Sequence, residues 1–169
     1  MRVRLSVFGP LAVLAVGAAV WRGEFRLLPV ALGLLLWTAI EYLMHRYAFH
    51  GFAPHWEHHE KPAEAKFIVA PLTLSLPVAS AVWLLVSLAM DSAVQAGLLI
   101  AGVIAGYLAY EAVHLRIHSE AAGGPLLRAL RRYHYYHHFA DDSVCYGVTT
   151  PLWDMVFATR RSKESARAS

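Results

Sequence analysis

Apolar residues in this chain come in long unbroken runs rather than in alternation. Four stand out: Leu5 to Trp21, Leu27 to Met44, Phe67 to Met90 and Val94 to Val113. A helix needs about 20 residues to cross a ~30 Å hydrocarbon core. The third and fourth runs meet that requirement, with Asp91 and Ser92 as a tight hairpin between them. The first is marginal and would tilt or lie between its neighbours. Pro10, Pro71 and Pro77 sit inside or at the edge of runs, where neighbouring helices tolerate them. Arg2 and Arg4 ahead of the first run also fit a signal peptide, but no small-residue cleavage site leads into a soluble segment.

After the fourth run the pattern becomes polar. Gly123, Gly124 and Pro125 mark a break, and short helical segments are predicted around 114–120 and 126–139. Residues 162–169 read as a flexible tail. The pattern predicts an all-α fold. Residues 1–161 form one integral-membrane domain, a four-transmembrane-helix bundle with a cytoplasmic helical cap from residues 45–66 and 114–161.

Composition narrows the class. Of 169 residues, 57% are hydrophobic and 16% charged, against about 45–50% and 25% in soluble domains. The single cysteine, Cys145, rules out a disulfide-stapled module, and the apolar content rules out a disordered chain. Of the 15 Lys and Arg residues, only Arg22 and Arg26 fall on one side of the expected spans. That bias predicts cytoplasmic termini. The net charge of +3 therefore reads as membrane topology. No basic stripe interleaves with a recognition element, so no nucleic-acid partner is expected.

Ten histidines are the chemical signal. All fall into four boxes: His45 with His50; His55, His58 and His59; His114 with His118; and His134, His137 and His138. Each half of the chain supplies one pair and one HxxHH box, all on the expected cytoplasmic side. Positions i, i+3 and i+4 project from one helical face, so each HxxHH box reads as a three-pronged ligand set. His114 and His118 have the i, i+4 spacing used when two imidazoles share a metal. His45 and His50, at i, i+5, require a helix end or distortion between them. Ten ligands suffice for two ions, whereas a single structural zinc would use four. Nitrogen ligands alone leave zinc, iron and copper open.

Glu41 precedes His45 by four residues and Glu111 precedes His114 by three. Ionisable groups at such depth are costly and mark function. Each is expected to accept the free N–H of a ligating imidazole, with direct ligation or pairing to Arg46 or Arg116 as alternatives. Tyr107, Tyr110, Tyr135 and Tyr136 read equally well as hydrogen-bond partners of the histidines or as interfacial aromatics.

These boxes resemble the fatty acid hydroxylase/sterol desaturase superfamily of integral-membrane di-metal oxygenases. The resemblance covers residues 41–159: Glu41-x-x-x-His45-Arg46, Phe49-His50, His55-x-x-His58-His59, His114-x-x-x-His118 and His134-x-x-His137-His138, in order. The segment Tyr146-Gly147-Val148-Thr149-Thr150-Pro151-Leu152-Trp153-Asp154 looks like the family's stretch after its last box. There Gly147 would give a turn, Trp153 would anchor the cap and Asp154 would bond to a ligand histidine. Ile68-Val69-Ala70-Pro71 looks most like the fatty acid 2-hydroxylase branch. The short link between His50 and His55 is closer to bacterial carotenoid hydroxylases, whose third box is spaced one residue wider than the one here.

The resemblance implies two iron ions held by the ten histidines, with zinc able to replace them in purified protein. Glu41, Glu111, Asp154 and Tyr110 are the supporting residues; no catalytic residue is assigned beyond the metal ligands. The implied reaction is O₂-dependent hydroxylation of a C–H bond in a membrane lipid acyl chain, or alternatively of a carotenoid ring. Electrons would come from a separate ferredoxin, cytochrome or reductase, since the chain carries no flavin, haem or Fe–S motif. Arg128, Arg131 and Arg132 would receive that donor or anionic headgroups. A metal transporter would need polar groups along the spans, which are almost wholly apolar. A non-catalytic metal-stabilised membrane scaffold is the remaining alternative.

Overall fold

The computed structural model describes residues 2–51, 53–64, 68, 71–119 and 123–161. Among them there is no strand. The helices are α1 (Arg2–Trp21), α2 (Leu27–Leu43), α3 (Ala53–Glu60), α4 (Leu72–Ala89), α5 (Ala93–His118), α6 (Pro125–Phe139) and α7 (Leu152–Val156). A π-helical turn (Met44–Ala48) and a 3₁₀ turn (Phe49–Gly51) continue α2.

Among the described residues, three helical stretches are long and apolar enough to cross a membrane: Leu27–Gly51, Leu72–Ala89 and Ala93–His118. The apolar part of α1, Leu5–Trp21, is shorter; 17 residues rise only about 26 Å. Two expected boundaries change. The third apolar helix begins at Leu72 because Pro71 is extended (φ −63°, ψ 149°). Residues 67, 69 and 70, which belonged to that expected span, lie outside the described residues, as do Lys66 and the expected tail at 162–169. The segment expected as a separate helix at 114–120 is instead the last turn of α5, whose 26 residues continue without a break to His118. Pro125, at the first position of α6 after an extended Gly124, starts that helix as proline's fixed φ favours.

The chain divides into two compact units, 1–37 with 69–111 and 38–68 with 112–169. In the first, α2 and α5 meet backbone to backbone. A side chain at Gly33 would run into the Leu99 carbonyl, and one at Gly102 into the Val30 carbonyl. Small residues permit such approaches where lipid supplies no hydrophobic driving force between helices. Phe8 packs edge-on against Tyr107 at 5.5 Å, and Trp37 lies 5.1 Å from the same ring. Outward positions stay apolar: Leu84, Leu85 and Leu88 of α4 are exposed, as expected of a surface solvated by lipid. All ten histidines belong to the second unit.

Gly102→Val should cost about 1–3 kcal/mol by overpacking. Thermal melts of the detergent-solubilised protein check this; an unchanged midpoint would contradict the close α2–α5 packing.

Candidate metal centre

The four boxes are delivered by four local devices. On a regular α-helix His45 and His50 would point about 140° apart. The π-helical turn closes with the Phe49 amide donating to the Met44 carbonyl, an i→i+5 bond that widens the turn. The two imidazoles then stand 5.5 Å apart. This is the distortion that their spacing requires. The two HxxHH boxes lie on α3 and α6, and the HxxxH pair on the last turn of α5.

These imidazoles converge as two sets of five. His45, His50, His55, His59 and His137 form one; His58, His114, His118, His134 and His138 form the other. In each set the five donor nitrogens all lie within 4.8 Å of one another. The expectation that each HxxHH box acts as one three-pronged set is therefore corrected. On α3, His55 and His59 stay together while His58 joins the other set; on α6, His134 and His138 stay together while His137 crosses over. Positions i+3 and i+4 differ by about 100° around a helix, so a box wedged between two centres serves both.

The donor chemistry fits metal ions. His134 Nε2 lies 3.0 Å from the Nε2 atoms of His114, His118 and His138. One neutral imidazole nitrogen either donates one hydrogen bond or offers one lone pair, so three such contacts cannot all be hydrogen bonds. A shared cation would account for them, since it would take one lone pair from each neutral ring. His58 is only 1% exposed, yet among the described residues neither of its ring nitrogens has a hydrogen-bond partner. Leaving such a group unsatisfied costs about 1–3 kcal/mol, which ligation would relieve.

Comparison with known proteins places this geometry. The fatty acid hydroxylase family model matches residues 30–159. The chain belongs to the fatty acid hydroxylase family. It is 33% identical over 141 residues to the dihydroceramide fatty acyl 2-hydroxylase FAH2 of Arabidopsis thaliana, covering 77% of this chain and 59% of that one. It is 33% identical over 142 residues to the human fatty acid 2-hydroxylase, covering 76% and 38%. A solved structure of full-length scs7p, with only the hydroxylase domain visible, superposes with a TM-score of 0.83 at 30% identity, covering 95% of this chain and 66% of that one. The chain thus spans less than two thirds of these relatives. The 2-hydroxylase names of the Arabidopsis and human relatives agree with the branch that the sequence resembles.

In this family member Glu41 and Asp154 act differently from expectation. Glu41 accepts no imidazole N–H in the described hydrogen bonds: its Oε1 takes the Val148 and Thr149 amides at 2.7 and 2.8 Å. Asp154 likewise takes the Tyr146 and Gly147 amides at 2.9 and 2.8 Å rather than a histidine. The imidazoles themselves donate to backbone carbonyls, His45 Nδ1 to Tyr146 at 2.5 Å and His137 Nδ1 to Val144 at 2.7 Å. Nothing in residue spacing announces those carbonyls, so they went unforeseen. Glu111 accepts from Tyr107 at 2.7 Å, and Tyr110 packs on Trp37 at 5.8 Å.

Other residues also find places. Tyr135 donates to the Ile117 carbonyl at 3.2 Å with its ring 5.7 Å from His118; Tyr136 lies beneath Arg161. Arg46 donates to Tyr42 at 2.8 Å, and Trp153 anchors its segment by donating to Thr38 at 2.9 Å. Gly147 is required for close approach rather than for a turn conformation, since a side chain there would meet the Thr150 carbonyl and Asp154 Oδ2. Arg131 is spent on the end of α5, donating to the carbonyls of Arg116 and Ser119.

Burial, reinforced by neighbouring imidazoles, holds these histidines neutral. On α3, His55 is pushed down to about 2, His58 to about 3 and His59 to about 4. On α6, burial brings His137 to about 3 despite its bond to the Val144 carbonyl. Neutral rings keep the lone pairs that metal binding needs.

Unfolding raises these values back to the ordinary 6.5, so the unfolded chain binds more protons below that pH. Metal-stripped protein should hold its full stability above pH 6.5 and lose it progressively as pH falls toward 3. Thermal melts across that range would show the slope, and a flat profile would contradict burial of the neutral rings.

Proposed function

We propose that this protein is a membrane-bound di-iron oxygenase that hydroxylates a C–H bond of a lipid acyl chain, with O₂ and two external electrons. The observation that carries this reading is the convergence of ten imidazoles into two adjacent five-nitrogen sets. Relatives named fatty acid 2-hydroxylase and dihydroceramide fatty acyl 2-hydroxylase support the acyl substrate over a carotenoid. Residues 1–161 act as one hydroxylase domain.

All ten histidines would hold the metal: His45, His50, His55, His59 and His137 one ion, and His58, His114, His118, His134 and His138 the other. Iron, when bound, would supply the activation of O₂ and the cleavage of the C–H bond, chemistry that redox-inert zinc lacks. The chain's own part is to present neutral nitrogens and to keep His45 and His137 oriented through Nδ1. Apolar helices supply a setting that solvates an acyl chain.

The fifteen Lys and Arg residues support four crossings with both termini and the histidine cap on the cytoplasmic side. A separate electron carrier would approach from that side. Exposed Arg128 and Arg132 suit an acidic donor; Arg128 also donates to the Gly123 carbonyl at 2.6 Å, and half-buried Arg131 donates to those of Arg116 and Ser119.

Expression in a lipid-rich host with an iron supply and a competent donor should give acyl lipids one oxygen heavier, measured by mass spectrometry. His58→Ala and His137→Ala, one from each set, should each reduce that product at least about 100-fold, beyond the loss typical of changes to a ligand's supporting partners. An unchanged lipid profile with iron bound would sink the hydroxylase reading.

A further inference from the structure

We infer that Asp154 is a positioning residue for one of the two proposed metal sites, acting on His45 through the peptide unit between Tyr146 and Gly147. This rests on the di-metal reading above. That single peptide unit is engaged at both ends. Its carbonyl, on Tyr146, accepts from His45 Nδ1 at 2.5 Å, and its amide, on Gly147, donates to Asp154 Oδ2 at 2.8 Å. A carbonyl only accepts, so Nδ1 carries the proton and Nε2 keeps its lone pair for the His45 set. A carboxylate at the far end polarises the amide and strengthens the carbonyl as an acceptor. The arrangement extends the carboxylate–histidine–metal logic by one peptide group.

The surrounding segment holds that peptide still. Five consecutive amides are donated: Cys145 to the Thr159 carbonyl at 2.8 Å, Tyr146 and Gly147 to Asp154, and Val148 and Thr149 to Glu41. Thr159 Oγ1 also donates to Asp154 Oδ1 at 2.8 Å, and Thr149 Oγ1 to Glu41 Oε2 at 2.5 Å. Cys145 sits at φ 61°, a left-handed conformation that side-chain-bearing residues disfavour. The cost is borne where the chain must turn between two carbonyls used by two histidines, Val144 for His137 and Tyr146 for His45. Both histidines belong to the same set. Among the described hydrogen bonds, none runs from residues 144–149 to the His58, His114, His118, His134 and His138 set. The geometry therefore makes the two sites unequal in their dependence on Asp154.

The test uses cobalt(II) bound to the full chain in detergent, titrated with a chelator and followed by visible absorption and metal analysis. Wild type should hold two cobalt ions. Asp154→Asn should weaken one of them by about 10–100-fold and leave the other unchanged. The spectrum of the remaining ion should match that of His50→Ala, which spares the second set, and differ from that of His118→Ala. Thr159→Val removes one hydrogen bond to the carboxylate, together with the 2.9 Å bond between Thr159 Oγ1 and the Tyr42 hydroxyl, and should weaken the same ion to a smaller degree. It carries the test if Asp154→Asn fails to fold. Equal weakening of both ions, or of neither, overturns the positioning role alone. Fewer than two cobalt ions in wild type overturns the di-metal reading and this inference with it.

Discussion

Ten converging imidazole rings, six buried and four half-buried, set the terms for the rest of this structure. Neutral rings are compatible with burial, but their lone pairs then face one another at 3.0–3.3 Å. No pattern of hydrogen bonds satisfies His134 against three partners at once, nor His58 with none. Such a core is frustrated without cations and satisfied with them. Folding of the second unit and its affinity for metal are in this sense one property.

The local irregularities answer that constraint. A π-helical turn after α2 rotates His50 toward His45. The last turn of α5 extends past its apolar stretch to carry His114 and His118. Each HxxHH box sends its middle histidine to the opposite set, so α3 and α6 both contribute to both centres. That interleaving ties the proposed centres to each other mechanically, since neither helix can shift without disturbing both.

Two buried carboxylates do their work on backbone instead of on imidazole. Glu41 and Asp154 between them accept four consecutive amides, which a loop without secondary structure would otherwise leave for water. The loop repays this by offering its carbonyls to two ring nitrogens. Away from the histidines, α2 and α5 of the first unit meet through Gly33 and Gly102, an association suited to a setting where apolar burial gives no advantage. The exposed leucines of α4 belong to the same physics.

Much of this was legible in the chain. Runs of apolar residues gave the long helices because hydropathy is a local property, and Gly124-Pro125 marked the start of α6 because backbone preference is local too. The HxxHH and HxxxH boxes were readable as ligand sets because helical spacing fixes which side chains share a face. The same spacing left open which face meets which partner, and here intuition grouped each box as one unit when the fold divides it. Glu41 and Asp154 were visible as unusual carboxylates, but their partners lie up to 108 residues away and are mostly backbone amides, identical at every position, with one threonine hydroxyl each. Sequence by itself determined the long apolar helices, the histidine inventory and the need for a distortion between His45 and His50. Tertiary structure alone decided the pairing of His58 and His137 with opposite sets and the route from carboxylate to imidazole, because both depend on which surfaces meet in three dimensions.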